Sequence, residues 1–298
     1  LNMKIISALF VIAIVITWSV HQYQLEAAAP VRDTNQPVQT TSNQPIHYKN
    51  KVIVLMYHHI DVKESGATIS PSRFNDHMKV LKDNGYKVIS VEQFVDFMQN
   101  KIKVPNNAVV ITFDDGYESF DQYAVPILKK YNFTATHFII GSSSDQQNVH
   151  TKHLTWDTMR KLKAEGFSFY SHTYNQHNYA SFDQVGHKMG PMLSNPIYLP
   201  EKGRVETNAE YKARIEEDTQ LIEKRLKEEL GNTLQLIAFP YGVYNPTVKQ
   251  IEKNAGVTLF FTTNPGINKQ GADEIFRLNA GTPTLTGSKF LNMLEKYQ

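Results

Sequence analysis

Short, nearly continuous apolar runs alternate along this chain with stretches in which apolar residues recur every three or four positions. The first kind reads as strands buried on both faces, the second as helices with one face on a core. Residues 51–57 (KVIVLMY) are the first strand. Ser70-Pro71 then opens a helix with a cap and a proline at its first position; Phe74, Met78 and Leu81 form its apolar stripe and Gly85 ends it. A short strand at 87–89 leads to a helix that Ser90 and Gln93 begin as a capping box. Residues 108–112 (AVVIT) are the next strand, Pro126 starts a helix ending near Tyr131, and 134–140 is a further strand.

Thr155 caps a helix through Met159 and Leu162 that stops at Gly166, and residues 167–170 follow as a strand. Residues 178–205 are a polar excursion with no period of their own. Thr207 and Glu210 box the start of a long helix with the stripe Tyr211, Ile215, Ile222, Leu226 and Leu230, and Gly231 ends it. Strands are expected at 234–239, 257–262 and 274–278, with Asn245-Pro246 capping the helix between the first two and 286–297 as the closing helix. Alternation of this kind predicts a parallel sheet of seven or eight strands. At this length the expected closure is a distorted (β/α)7-8 barrel, an α/β fold in a single catalytic domain.

The same patterning sets the N-terminus apart. Lys4 precedes an apolar run from Ile5 to Val20, broken only by Ser7, Thr17 and Ser19, and Ala27-Ala28-Ala29 offers a small-residue cleavage site. Residues 1–29 read as an export signal or as a retained N-terminal anchor, the run falling somewhat under the roughly 20 residues of a spanning helix. Residues 30–46, rich in Pro, Gln, Thr and Asn, cannot bury enough apolar surface to fold and read as a flexible linker. Either way residues 47–298 are expected outside the cytoplasm, secreted or anchored at the cell surface. The chain has no cysteine, so such a domain must be held by its core, which about 250 residues can supply. A formal net charge of +2 gives no reason to expect nucleic acid as a partner. There is no internal repeat and no heptad run, and a monomer is expected.

Candidate chemistry gathers at strand ends. Thr112-Phe113-Asp114-Asp115-Gly116 places two adjacent carboxylates after a buried strand, where α/β proteins keep their active sites. Side by side they repel, so a cation or a bound proton must make them tolerable. Further donors follow the 167–170 strand, in Ser171-His172-Thr173-Tyr174-Asn175-Gln176-His177. Two histidines at this spacing diverge on a helix but can converge on a loop. His172, His177 and one carboxylate of the pair would form a two-histidine, one-carboxylate metal site with positions open for water and substrate. Tyr57-His58-His59 ends the first strand, and one of these imidazoles could act as general acid. Phe239-Pro240-Tyr241-Gly242 is a turn at another strand end, whose Tyr241 N–H could face a developing oxyanion. The same ligand set serves non-haem Fe(II) oxygenases, but those are built on antiparallel double sheets, against the alternation seen here.

Taken in this order, the Asp-Asp turn, the histidine pair and the Pro-Tyr-Gly turn resemble the NodB-homology polysaccharide deacetylases of carbohydrate esterase family 4, over nearly all of residues 51–298. Leu55-Met56-Tyr57-His58-His59 is similar to the branch acting on poly-β-1,6-N-acetylglucosamine, where the catalytic-acid motif lies at the front of the domain. The resemblance implies metal-dependent N-deacetylation of N-acetylglucosamine units in an extracellular or cell-wall polysaccharide. It implies Asp114 as general base, Asp115, His172 and His177 as metal ligands, His58 as general acid and Tyr241 as oxyanion donor. The implied metal is divalent, zinc first, with cobalt, nickel or manganese as alternatives. Two features depart from the family pattern. Ala238-Phe239 stand where many members carry an arginine that orients the base, and Arg277 is the candidate substitute. The usual Asp-Trp motif near the acid has no clear counterpart. Trp156 and Tyr174 are candidates for stacking on sugar, Trp156 also for core packing. Poly-N-acetylglucosamine, peptidoglycan and chitin oligomers all remain open as substrates, and a catalytically silent wall-binding protein on the same fold is the alternative.

Overall fold

The strands of the main sheet, in chain order, are Val52–Tyr57 (β1), Lys87–Val88 (β2), Ala108–Phe113 (β3), Thr136–Ile139 (β4), Ser168–Ser171 (β5), Leu236–Ala238 (β6), Leu259–Phe261 (β7), Glu274–Ile275 (β8) and Leu278–Asn279 (β9). They belong to a computed structural model that describes residues 45–146 and 150–297. The expected signal or anchor at 1–29 and nearly all of the expected linker at 30–46 lie outside the described residues. No helix among the described residues is long and apolar enough to cross a membrane.

All pairings in this sheet are parallel, and the strands lie in the order β8-β7-β6-β5-β4-β3-β1-β9, with β2 added beside β3. Such a sheet is buried on both faces, and every residue of β1 and β3 is buried. The α-helices of seven residues or more among the described residues are Pro71–Asp83 (α1), Val91–Met98 (α2), Val125–Tyr131 (α3), Trp156–Ala164 (α4), Asn208–Leu230 (α5), Pro246–Ala255 (α6) and Gly287–Glu295 (α7). Side chains alternate along each strand between two cores. Val54, Val110, Phe138, Ala238 and Phe261 pack with α2. Their neighbours Leu55, Ile111 and Ile139 pack with the outer helices α1, α3, α4 and α7, and Ile237 and Phe260 pack with α5 and α6. The result is the expected single-domain α/β architecture, a half-barrel of parallel strands wrapped by helices.

Helix boundaries follow local chemistry. Ser90 with Gln93 and Thr207 with Glu210 form the expected capping boxes, and Gly231 ends α5 in the left-handed region. Several elements differ from the sequence expectation, among them a short helix at Gly141–Gln146 and a small parallel pair of His59–Ile60 with Thr68–Ile69. The strand expected at 274–278 is two, β8 and β9, on opposite edges of the sheet, because Phe276-Arg277 carries the chain from one edge to the other. A turn of π-helix at Phe120–Ala124 precedes α3; it seats Phe120 against Phe113 and Phe167, contacts no local period reveals. The polar excursion folds into two small antiparallel hairpins, Tyr179–Ser181 with Met189–Pro191 and Tyr198–Leu199 with Arg204–Val205.

Buried acids lie on the helices α5 and α6. Desolvation pushes the carboxyls of Glu223 and Glu252 up to about 8, and the Thr219 hydroxyl donates to Glu252 at 2.8 Å. A carboxyl raised in the folded state is neutral in both states below its unfolded value, near 4.3. Between there and about 8 only the unfolded chain releases the proton, so stability falls as pH rises through that window. Glu252→Gln keeps the acceptor for Thr219 without the ionisation. It should raise the unfolding free energy at pH 8 by on the order of 2 kcal/mol and change it little at pH 4, as read by urea denaturation at both values.

Candidate active site

Strands running parallel deliver their C-terminal ends to one side, so the turns after β1, β3, β5, β6 and β7 meet there. The turn after β3 carries Asp114, which is buried. Its two oxygens accept from Arg277 Nη1 at 2.7 Å and Nη2 at 2.8 Å. Two further donors of this fully buried arginine, on Nε and Nη1, reach the Thr262 carbonyl at 2.8 Å and the Thr112 hydroxyl at 3.3 Å. Burial pushes the Asp114 carboxyl up, but the Arg277 charge and hydrogen bonds, with His172 and His58 nearby, outweigh it and hold it below its ordinary value. Asp114 is thus an ionised, oriented carboxylate with lone pairs left over on both oxygens.

Asp115 faces the other way. The chain turns through positive φ at Asp115 (77°) and Gly116 (89°), and the Gly116 N–H donates to Nε2 of the buried His137 at 2.9 Å. Burial pushes the His137 imidazole down to about 4, so it is neutral and can accept that bond. Asp115 Oδ1 lies 3.4 Å from His172 Nε2 and 3.2 Å from His177 Nε2. It is buried with no hydrogen-bond partner. His172 donates from Nδ1 to the Ala238 carbonyl at 2.7 Å, which leaves Nε2 as its free ligand atom. The three ligand atoms lie within 4.8 Å of one another. A tetrahedral site with arms of about 2.0–2.1 Å has edges of about 3.3–3.4 Å, which the two Asp115–histidine separations match, so this donor set could hold one divalent ion of the zinc type. Burial raises the Asp115 carboxyl, but its attraction to His172 and then His177 outweighs this and holds it well below its ordinary value; burial lowers His177, but the attraction of Asp115 holds it above its own.

The histidine loop is braced from behind. Thr173 has φ 72°, and its carbonyl accepts from the Gly141 N–H at 3.1 Å. Asp218 of α5 accepts from the Tyr174 N–H at 2.9 Å, the Asn175 N–H at 2.7 Å and Gln176 Nε2 at 3.0 Å. Arg214, one turn earlier, donates to Gln176 Oε1, to Glu206 and to the Met192 and Asn195 carbonyls. Sequence reasoning missed Asp218. The available signal was an acid at an apolar-stripe position, between Ile215 and Ile222.

The structure brings His58 to the acid pair, with Nε2 4.0 Å from Asp114 Oδ2, and its Nδ1 is buried without a hydrogen-bond partner. His59 turns aside to the Ser119 hydroxyl at 2.8 Å and packs on Tyr117. Tyr117, also missed from sequence, lies between His59 and His153; burial first, then the Asp115 charge and hydrogen bond, pushes its phenol up. Tyr241 has φ 58° and sets its ring 4.4 Å from that of His177. Gly242 beside it has φ 69°, and a Cβ there would run into Thr263 Oγ1. Trp156 and Tyr174, the candidates for stacking on sugar, both turn to Asp145, and Trp156 takes the core position that was its other reading. Trp156 is only 8% exposed, and its indole N–H and the Tyr174 hydroxyl both donate to Asp145, at 2.7 and 3.1 Å. Arg225 pairs with the same Asp145 and lies over the Trp156 ring, so this is a packed polar cluster.

Two outcomes follow from this geometry. Arg277→Met leaves the Asp114 charge buried and unpaired and should cost about 3–5 kcal/mol in chemical denaturation. The double variant Arg277→Met with Asp114→Leu should recover most of that loss. His172→Ala should abolish stoichiometric zinc binding in a chelator competition; retained zinc at one per chain would overturn the ligand assignment.

The polysaccharide deacetylase family model matches residues 101–260. The chain is 28% identical over 253 residues to the poly-β-1,6-N-acetyl-D-glucosamine N-deacetylase of Escherichia coli (strain K12), a match covering 79% of this chain and 38% of that protein. It is 27% identical over 197 residues to the protein of the same name from Staphylococcus aureus (strain MRSA252), covering 65% and 61%. The chain thus matches less than two thirds of the length of each of these two relatives. Among solved structures, a de-N-acetylase from Aggregatibacter actinomycetemcomitans matches with a TM-score of 0.74 at 30% identity, over 82% of this chain and 99% of that one. IcaB from Ammonifex degensii matches with a TM-score of 0.68 at 26% identity, over 83% and 97%. The family match takes in more than half of the chain and includes the acid pair, both histidines and the Pro-Tyr-Gly turn. The chain therefore belongs to the polysaccharide deacetylases, a family of hydrolases.

Proposed function

We propose that this protein hydrolyses the acetamide of N-acetylglucosamine units in an extracellular polysaccharide, with a divalent metal as cofactor. The observation that carries this reading is the division of the acid pair, Asp114 clamped by Arg277 and Asp115 facing His172 and His177. Asp115, His172 and His177 would hold the ion, zinc first for an N/O donor set of this kind, and when bound it supplies a Lewis acid for the carbonyl and acidifies water.

Each remaining step belongs to a residue of the chain. Asp114, kept ionised and oriented by Arg277, accepts the proton of the attacking water. The Tyr241 N–H, presented by the strained turn after β6, faces the carbonyl oxygen as charge builds there; one such donor contributes about 3–4 kcal/mol. His58, placed beside Asp114, gives a proton to the departing nitrogen, without which the C–N bond would not break. The products are acetate and a glucosamine unit with a free amine. That relatives of the chain carry the name of poly-β-1,6-N-acetylglucosamine deacetylases supports this polymer, and so does the placement of His58 at the end of the first strand. The parallel sheet speaks against an oxygenase, and the presence of every proposed ligand, base and acid speaks against a silent binding protein.

Acetate release tests the reading. Zinc-loaded protein should release acetate from poly-β-1,6-N-acetylglucosamine and less from peptidoglycan, and Asp114→Asn should lower the rate about a thousandfold. A protein with one zinc per chain that releases none from either polymer would leave only a binding role.

A further inference from the structure

The first hairpin of the 178–205 excursion holds an aromatic side chain in solvent beside the metal cluster. Tyr179 is 55% exposed and Tyr241 42% exposed, and their rings meet edge to face at 5.0 Å. Tyr241 in turn packs on His177, so the exposed pair is continuous with the site. The two rings in contact form a small apolar platform beside the site.

The position of Tyr179 is built rather than incidental. Its strand pairs with Met189–Pro191, and the Phe182 ring lies so close over Gly190 that a Cβ there would come within 2.8 Å of it. The chain just after the hairpin is fastened to the domain by side chains from two helices. Tyr211 Oη donates to the Leu193 carbonyl at 2.8 Å, Arg214 to the Met192 carbonyl at 3.2 Å, and Asn245 Nδ2 to the Ser194 carbonyl at 2.9 Å. Leu193 itself is buried in the core of α5 and α6.

We propose that Tyr179 is a stacking platform for the sugar unit next to the one whose acetamide reaches the cluster. This rests on the proposed function. The C–H face of a pyranose is apolar and weakly positive, and it complements the negative face of an aromatic ring while the sugar hydroxyls keep their water. Tyrosine supplies that face at small cost in side-chain entropy. Tyr179 stands two ring contacts from His177, so it meets a neighbouring unit rather than the one being cut. The excursion thereby makes the site select a polymer over a single sugar.

Calorimetric titration with a β-1,6-linked N-acetylglucosamine oligomer tests this in the zinc-loaded Asp114→Asn protein, which does not consume the ligand. Tyr179→Ala should weaken binding roughly tenfold, while Tyr179→Phe and Tyr179→Trp retain it. Val185→Ser, at an exposed apolar position on the same hairpin, should change nothing. In the active protein Tyr179→Ala should raise KM by a similar factor and lower kcat far less. Unchanged affinity in Tyr179→Ala overturns the proposal, as does a fall in kcat at constant KM, which would make Tyr179 a mere buttress for Tyr241. Oligomer binding that depends on Tyr179 without acetate release would uphold the subsite and remove the hydrolytic reading. A parent protein that binds no oligomer removes the subsite, whatever acetate it releases.

Discussion

Arg277 lies where the two edges of the sheet are joined by the chain itself, and its guanidinium meets groups from both sides of that join. It donates to the Thr262 carbonyl after β7, to the Thr112 hydroxyl within β3 and to both oxygens of Asp114. A buried ion pair repays its desolvation only when the geometry is good and the other donors are satisfied. Here the fork meets the carboxylate two-to-two, and Nε and Nη1 find further acceptors in the Thr262 carbonyl and the Thr112 hydroxyl. The consequence reaches the chemistry, because the same contact that fastens the seam keeps Asp114 ionised and fixes which way it faces.

A second polar anchor does for the histidine loop what Arg277 does for the acid. Asp218 takes two backbone N–H groups and one amide from residues 174–176, and Arg214 links that loop to the excursion. Placing an acid and an arginine on the inner stripe of α5 sacrifices apolar contact, and burial pushes the Asp218 carboxyl up against its three donors. What is obtained is a loop that presents His172 and His177 to one point. The backbone at the site is correspondingly strained. Asp115, Thr173 and Tyr241, on three separate turns at strand ends, all sit at positive φ, which only a structure held firmly around them sustains. The hairpin bearing Tyr179 is tied to the same helix, so the excursion and the ligand loop share one support.

Much of this was legible in the chain. Continuous apolar runs and helical stripes located nearly every strand and helix, because both are set by contacts a few residues apart. Ser90, Thr207 and Gly231 marked boundaries for the same reason. The strand at 274–278 was not legible as two strands, since nothing local distinguishes a straight run from one that crosses between sheet edges. The π-turn at Phe120 was hidden for a like reason, its partners Phe113 and Phe167 being distant in sequence. For Trp156 the sequence left both sugar stacking and core packing open, because aromatic character shows what a side chain can bind and not which face it is on; Asp145 and Arg225 hold it in the core.

The sequence by itself determined the α/β class, the acid pair at a strand end, the histidine pair on a loop and the tyrosine turn, because these depend on residue type and local spacing. Residue type and spacing left open which acid faces the histidines and which histidine faces the acid; the family resemblance implied Asp115 and His58, and the tertiary structure supplies the geometry, together with Asp218 as the brace of the loop and Tyr179 as the exposed aromatic beside the cluster. Each of these is a matter of which strand lies next to which and how each turn twists. Such pairing is non-local, and no window along the chain contains it.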